Sequence, residues 1–441
     1  MPTVIGLIFL LGGLFCLQRK AEWLLGLLIL AGLFQAASVF NFGSSGIQPY
    51  YFVACLVIIS QFGKVKTWHA VQHFHGRNLI LAFACLGVFS AIVYPFVFAG
   101  TPVYEPSVGI DDGLLYRPPL HFSISNLAQA FYLVVHALVI LSVSTMEKSA
   151  KIKRAYNMIF ISFIALVFVQ FICLQIGLSF PYAIFQNNAG YAVADASADK
   201  ASRIVGTFTE PSGAGLALVS FYAGAFYEFF LGRGSAIRVL ITAVGIGLVR
   251  STSALSAMAI TTVLICCLHP FYQFPWRIRT ARLIKVACIA VVALIVFLSP
   301  VASQLQDATT GKTESSSYFN RTAADLFSLQ LAASTHWIGV GLGSNRPSSL
   351  LASLLSNVGI VGAVLFCVLL FQVGRNVQQE HLWLRWALAG AVIDACFGGP
   401  DITQPLIWIY LILIVYYRSD CGVPEEGSLS NVTSLNTRQV S

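Results

Sequence analysis

Long apolar runs, broken by short charged stretches or by proline- and glycine-bearing turns, make up most of the 441-residue chain. A hydrocarbon core about 30 Å thick is crossed by roughly 20 helical residues. Runs of suitable length and composition predict helices at 3–18, 22–40, 49–63, 78–99, 123–145, 156–180, 210–231, 236–250, 252–269, 284–303, 348–372, 382–398 and 404–417. That gives an all-α, polytopic membrane protein of about 13 transmembrane helices. The runs at 49–63, 236–250 and 404–417 are short, and 236–250 with 252–269 can form a re-entrant pair without changing the parity.

Polar residues between these runs fall unevenly. Three longer loops, 100–122, 181–209 and 303–347, hold most of them, and loops of this length more often serve function than connection. Within the last loop, residues 317–333 have helical periodicity. Phe319, Ala323, Leu326 and Gln330 share one stripe, and Arg321, Asp325 and Ser328 share another. An amphipathic helix lying on a membrane surface is expected there.

Composition agrees with the pattern: 57% of residues are hydrophobic and only 10% charged, against about 25% charged in soluble domains. The net charge of +8 invites a nucleic-acid reading, but its placement does not. Basic residues gather in short loops at Arg19–Lys20, Lys64–Arg77, Lys148–Arg154, Arg233–Arg238, Arg277–Lys285, Arg375–Arg385 and at Arg418, as positive-inside topology requires. The N-terminus is then outside and the C-terminus inside. Residues 1–417 read as one helical membrane domain, with a retained first helix and no cleaved leader, and 418–441 as a disordered cytoplasmic tail. The ten cysteines lie almost all in apolar runs without metal-site spacing, so neither disulfides nor a metal is expected. His69, His73 and His75 lack the companions a metal site needs.

The stretch Arg203 to Ala217 concentrates the candidate chemistry. Pro211 marks a helix start, helix N-termini attract anions, and an arginine fork beside one suits phosphate. Arg203 and Glu210 are therefore site candidates, the bland alternative being an interfacial ion pair. Arg250, between two apolar runs and followed by Ser251-Thr-Ser253, is a second; an outward hairpin meeting headgroups would also explain it. Arg321 and Asp325 at i, i+4 form either a surface pair or part of the site. His336 is a candidate base at neutral pH, or an interfacial histidine beside Trp337. Arg346, before Pro347 and two serines, repeats the arginine-before-helix arrangement. Gly339-Val-Gly-Leu-Gly343 follows no strand and is read as a tight turn, not a nucleotide loop. Asp394 falls inside an expected span, as a proton-linked or a packing residue.

The sequence Arg203-x-x-Gly206-x-x-x-Glu210-Pro211-Ser212 resembles the Arg-x-x-Gly-x-x-x-His-Pro-Asn type of motif of the bacterial O-antigen polymerase and ligase superfamily (Wzy/WaaL type). The segment from His336 to Ser344, with Ser348 to Gly362 ending Leu-Leu-Ser-Asn-Val-Gly-Ile-Val-Gly, is similar to the part that closes the large periplasmic loop there. The likeness is closest to exopolysaccharide repeat-unit polymerases. It implies a GT-C-like fold and a multi-pass protein of the bacterial inner (cytoplasmic) membrane. It further implies a periplasmic-face, inverting, metal-independent and cofactor-free glycosyltransferase using an undecaprenyl-pyrophosphate-linked oligosaccharide as donor. Arg203 matches the motif arginine, and Arg250 stands where the family often places a basic residue. Glu210 replaces the motif histidine, and Arg346-Pro-Ser348 replaces the ligases' His-Asn pair, which makes a polymerase the better match.

On this reading Arg203, Arg250, Arg321 and Arg346 bind the pyrophosphate, and Glu210 or His336 removes the acceptor proton. Candidate partners are the lipid bilayer, a chain-length regulator and export machinery. An O-antigen ligase is the alternative of the same class. A transporter or flippase of a lipid-linked or acidic solute is the alternative of another, although no paired broken helices in related halves are evident.

Overall fold

A computed structural model describes residues 1–43, 45–61, 76–106, 116–189, 203–268 and 316–418. The expected span 284–303, the histidines at 69, 73 and 75, parts of all three long loops and the tail beyond 418 lie outside the described residues.

The described chain is mostly helical. In order it forms α1 (Val4–Leu17), α2 (Ala21–Ala31), β1 (Phe40–Phe42), β2 (Ser45–Ile47), α3 (Pro49–Gln61), α4 (Arg77–Val97), α5 (Ile124–Val143), α6 (Ala150–Gln175) and α7 (Tyr182–Phe185). It continues with α8 (Pro211–Phe230), α9 (Ala236–Val249), α10 (Thr252–Leu268), α11 (Ser316–Ser334), α12 (Leu350–Asn357), α13 (Gly359–Arg375), α14 (Trp383–Gly398) and α15 (Pro405–Tyr416). By length and composition α4, α5, α6 and α8 can each cross a membrane, and α1, α2, α3, α9, α10, α13 and α15 are shorter apolar helices.

Two expected spans are shorter than the apolar run that suggested them. The run at 22–40 ends its helix at Ala31, and its remainder leads into a hairpin pairing Phe40 with Ile47 and Phe42 with Ser45. The run at 348–372 is two helices. Gly359 has φ of 70° and accepts the backbone carbonyls of Trp337 and Ile338 so closely that a Cβ would strike both. The Ile360 N–H donates to Trp337 O at 2.9 Å. Helical dihedrals cannot continue through a left-handed residue, so the chain restarts there.

Helix α8 stands at the centre. Its serine, alanine and glycine positions permit close approach: a Cβ on Gly390 of α14 would lie 3.1 Å from Val219 O, and one on Gly224 of α8 would lie 3.1 Å from the Trp383 ring. Every residue of α15 is buried as well. Several polar groups inside this core are matched in pairs, as a low-dielectric interior favours. Tyr410 Oη donates to Ser220 Oγ at 2.7 Å and meets Tyr156 Oη at 3.1 Å. His136 is stacked on Trp408 with ring centroids 4.6 Å apart, and its two ring nitrogens meet Tyr50 Oη and Thr403 O, each at 3.0 Å.

The two ends of the bundle differ. One gathers Lys153 and Arg238 around Glu228, at 2.5 and 3.9 Å. The same end brings Lys148 Nζ to Arg418 O at 2.8 Å and Arg385 Nη2 to Arg375 O at 2.7 Å. The start of α8, the α9–α10 turn, α11 and the end of α14 lie at the opposite end.

Candidate functional site

The candidate site is built on the first turn of α8. Glu210 is the residue before the helix, in extended conformation (φ −129°, ψ 150°), and its side chain caps no backbone N–H. The carboxylate is turned outward instead. Its Oε2 accepts from Ser212 Oγ at 3.1 Å and faces Arg321 Nη2 at 3.5 Å. Arg203 is exposed yet electrically part of the same group. Desolvation by the surrounding protein and then the neighbouring Arg321 guanidinium lower its pKa, and Glu210 opposes them. Arg321 thus pairs with a carboxylate at the positive end of a helix, with Arg203 in electrostatic reach of both.

Arg321 reaches this place from α11. The buried side of α11 carries Ala324, Ser328 and Leu331, whereas Phe319 and Leu326 are 69% and 57% exposed. The stripe of Arg321, Asp325 and Ser328 therefore turns toward the protein and the larger apolar residues turn away. Arg321 and Asp325 do not pair among the described residues. Asp325 Oδ1 accepts the N–H groups of Ser348 and Ser349 at 2.7 and 3.1 Å, which sets a carboxylate at the N-terminus of α12. Ser348 Oγ donates to Arg321 O at 3.4 Å.

Arg346 lies two residues before that contact. Its Nη2 is 3.3 Å from Asp401 Oδ2, in the turn between α14 and α15, and its N–H donates to Tyr104 O at 2.8 Å. Arg250 ends α9 in left-handed conformation (φ 55°, ψ 35°). The next residue, Ser251, packs against Gly215 in the second turn of α8, so Arg250 belongs to the same end of the bundle. The expected arginines thus converge on one face from separate stretches of sequence.

His336 does not join them. It follows the far end of α11 with φ of 53°, and fifteen residues along a helix place it roughly 20 Å from Arg321.

The glycine run holds a larger role than a tight turn. Gly339, Gly341 and Gly343 have φ of 88°, 109° and 83°. Added Cβ atoms would lie 2.6 Å from Asn357 O, 2.7 Å from Ser90 O and 2.7 Å from Ser125 O respectively. This segment threads between helix backbones where no side chain fits. Buried asparagines that sequence reasoning did not single out fasten it. Asn357 accepts from Ser344 N and Asn345 N at 3.2 and 3.0 Å and donates to Asn345 O and Ser353 O at 2.7 and 2.9 Å. Asn345 accepts from Tyr104 N at 2.9 Å and donates to Ser328 Oγ and Ser356 Oγ, each at 2.9 Å. Asn126 donates to Leu342 O and Ser344 Oγ, each at 2.8 Å. The available signal was Asn357 inside the Ser-Asn-Val-Gly stretch.

Beside this network Arg117 lies over the rings of Phe327 and Tyr104, at 4.1 and 5.3 Å from their centroids. At this end Arg321 pairs with Glu210 and Arg346 with Asp401, Arg203 lies within electrostatic reach of Arg321 and Glu210, and Arg250 adds a fourth cation. With Asp325 committed to backbone N–H groups, the face is cationic among the described residues. Guanidinium forks on a cationic surface have the charge and geometry that suit an anion with several oxygens.

The chain matches no protein-family model, and no curated protein is significantly similar to it.

Proposed function

We propose that this protein is a periplasmic-face glycosyltransferase of the bacterial inner membrane, with about 13 spans, that polymerises undecaprenyl-pyrophosphate-linked oligosaccharide repeat units into exopolysaccharide or O-antigen. The observation that carries the reading is the meeting of Arg203, Glu210 and Arg321 at the N-terminus of α8, with Arg250 and Arg346 on the same end. In this assignment the basic end around Glu228 is cytoplasmic. The arginine face is then periplasmic, and the exposed Phe319 and Leu326 of α11 meet lipid.

Transfer from a lipid pyrophosphate develops negative charge on the leaving group and requires a proton to leave the acceptor hydroxyl. Arg203 and Arg321 stabilise the first through charge-assisted hydrogen bonds. Arg250 and Arg346 extend the cationic face along a two-phosphate group. Glu210 holds Arg321 in position. Much of the acceleration then comes from aligning two lipid-anchored saccharides.

The test is to supply the purified protein, in lipid, with a defined undecaprenyl-pyrophosphate oligosaccharide and to resolve the products by size. A ladder of repeat multiples supports the polymerase. A single transfer to a lipid or protein acceptor makes it a ligase, and movement of unchanged substrate across the bilayer makes it a transporter.

A further inference from the structure

Beneath the arginine face lies a carboxylate that the reading above does not use. Asp394 is fully buried in α14, and neither of its carboxylate oxygens has a hydrogen-bond partner among the described residues. An isolated buried carboxylate is costly, because its charge loses the solvation of water without gaining a partner. In a membrane interior such a residue marks function by default.

Its position connects it to the site. Gly390, Asp394 and Gly398 follow one another at i, i+4, i+8 on one stripe of α14. At Gly390 this stripe packs on Val219 and Ala223 of α8. At Gly398 an added Cβ would lie 3.3 Å from Ser253 Oγ and 3.7 Å from Arg321 Nη1. Asp394 therefore sits one helical turn, about 6 Å, from Gly398, which Ser253 and Arg321 both approach. Ser253 faces the Asp394 carboxylate without closing a hydrogen bond. Its Oγ is 2.9 Å from Ser251 Oγ, and Ser251 follows Arg250. Both serines are buried, so two adjoining hydroxyls lie between the arginine face and Asp394. Other carboxylates described at this end are engaged: Glu210 faces Arg321, Asp325 on α11 accepts the Ser348 and Ser349 amides, and Asp401 pairs with Arg346.

We propose that Ser253 and Asp394 form the proton-accepting relay for the glycosyl acceptor, an inference that rests on the glycosyltransferase reading. The acceptor hydroxyl gives its proton to Ser253 Oγ as the Ser253 proton passes to the Asp394 carboxylate. The freed oxygen forms a bond to the anomeric carbon of the donor. The bond from that carbon to the phosphate oxygen breaks, and its electron pair leaves on undecaprenyl pyrophosphate, held by Arg203 and Arg321. The proton returns outward by the same serines after product leaves. Glu210, already engaged by Arg321 and Ser212, remains a positioning residue for the arginines.

The experiment compares wild type, Asp394→Asn, Asp394→Glu, Ser253→Ala and Ser253→Thr in lipid nanodiscs. It measures kcat and KM for polymerisation and, separately, binding of undecaprenyl pyrophosphate itself. We expect Asp394→Asn and Ser253→Ala to lower kcat at least a hundredfold while binding stays within about threefold. Asp394→Glu and Ser253→Thr should recover at least a tenth of the wild-type kcat. A merely structural role would move folding and binding together, and the conservative variants would not restore kcat selectively. If Asp394→Asn does not insert, the Ser253 pair decides. Near-normal kcat in Asp394→Asn or Ser253→Ala, or losses that follow binding, overturns the relay alone. A wild type that binds undecaprenyl pyrophosphate but forms no glycosidic product overturns the glycosyltransferase reading and the relay with it.

Discussion

Replacing Asn357 by alanine tests whether the glycine-rich segment is held by one buried carboxamide. Asn357 is 1% exposed, so water does not replace the bonds it loses. Ser344 N keeps a second partner in Gly341 O at 3.1 Å, which leaves Asn345 N and Asn345 O as the groups stranded on the segment. Each buried backbone group left without a partner costs about 1–3 kcal/mol, so the loss should be about 2–6 kcal/mol. The segment from 339 to 349 carries Arg346 and the Ser348 and Ser349 amides that bind Asp325. Its loosening should therefore reach the arginine face. Equilibrium unfolding in mixed micelles gives the stability change, and limited proteolysis reports whether cleavage between 336 and 349 accelerates. Ser353→Ala, which removes only a 3.3 Å contact to Asn357, should change stability by less than about 1 kcal/mol. If Asn357→Ala also falls below that value with unchanged proteolysis, the segment is held by other contacts and the argument fails.

Arg321→Ala should weaken binding of undecaprenyl pyrophosphate roughly ten- to a hundredfold, since a charge-assisted hydrogen bond contributes about 1.5–3 kcal/mol. The pair it forms with Glu210 is exposed, at 41% and 64% for the two side chains, so stability should change by less than about 1 kcal/mol; equal binding by the variant refutes its role. Glu210→Gln should retain folding and reduce turnover through misplacement of Arg321, and unchanged kinetics would remove Glu210 from the site. Gly359→Ala, at positive φ against two carbonyls, should lower the melting temperature and raise proteolysis near Trp337, and wild-type values for both would refute the tight junction. At the basic end, burial first and then Lys153 hold the His381 pKa down to about 4, Lys148 adding to them and Glu380 opposing. The unfolded chain, with an ordinary value near 6.5, binds more protons between these limits, so stability should fall as pH drops from about 6.5 to about 4. His381→Gln should flatten that interval, and an unchanged slope assigns it to other groups.

Many helix positions followed from hydropathy, because it responds to local composition. The run at 78–99 corresponds to α4 at Arg77–Val97 and that at 210–231 to α8 at Pro211–Phe230. The helix at 317–333 was legible from its period, but the face it turns inward was not. Seen alone, Phe319 and Leu326 look like its core side. They are exposed because Arg321, Asp325 and Ser328 on the other stripe have partners in Glu210, the Ser348 and Ser349 amides and Asn345.

By itself the sequence determined a mostly helical, strongly apolar chain and nominated Arg203, Glu210 and Arg346 beside helix starts, Arg250 between two apolar runs and Arg321 by its spacing to Asp325. Only the tertiary structure decided which of them meet. Arg321 chose Glu210 over Asp325 four residues away, Arg346 found Asp401, and His336 was carried to the far end of α11. Hydrophobic periodicity fixes which residues lie on a helix. The partner of a charge depends on how helices distant in sequence pack together, and at this end that packing is set by buried asparagines and glycines without a periodic signal.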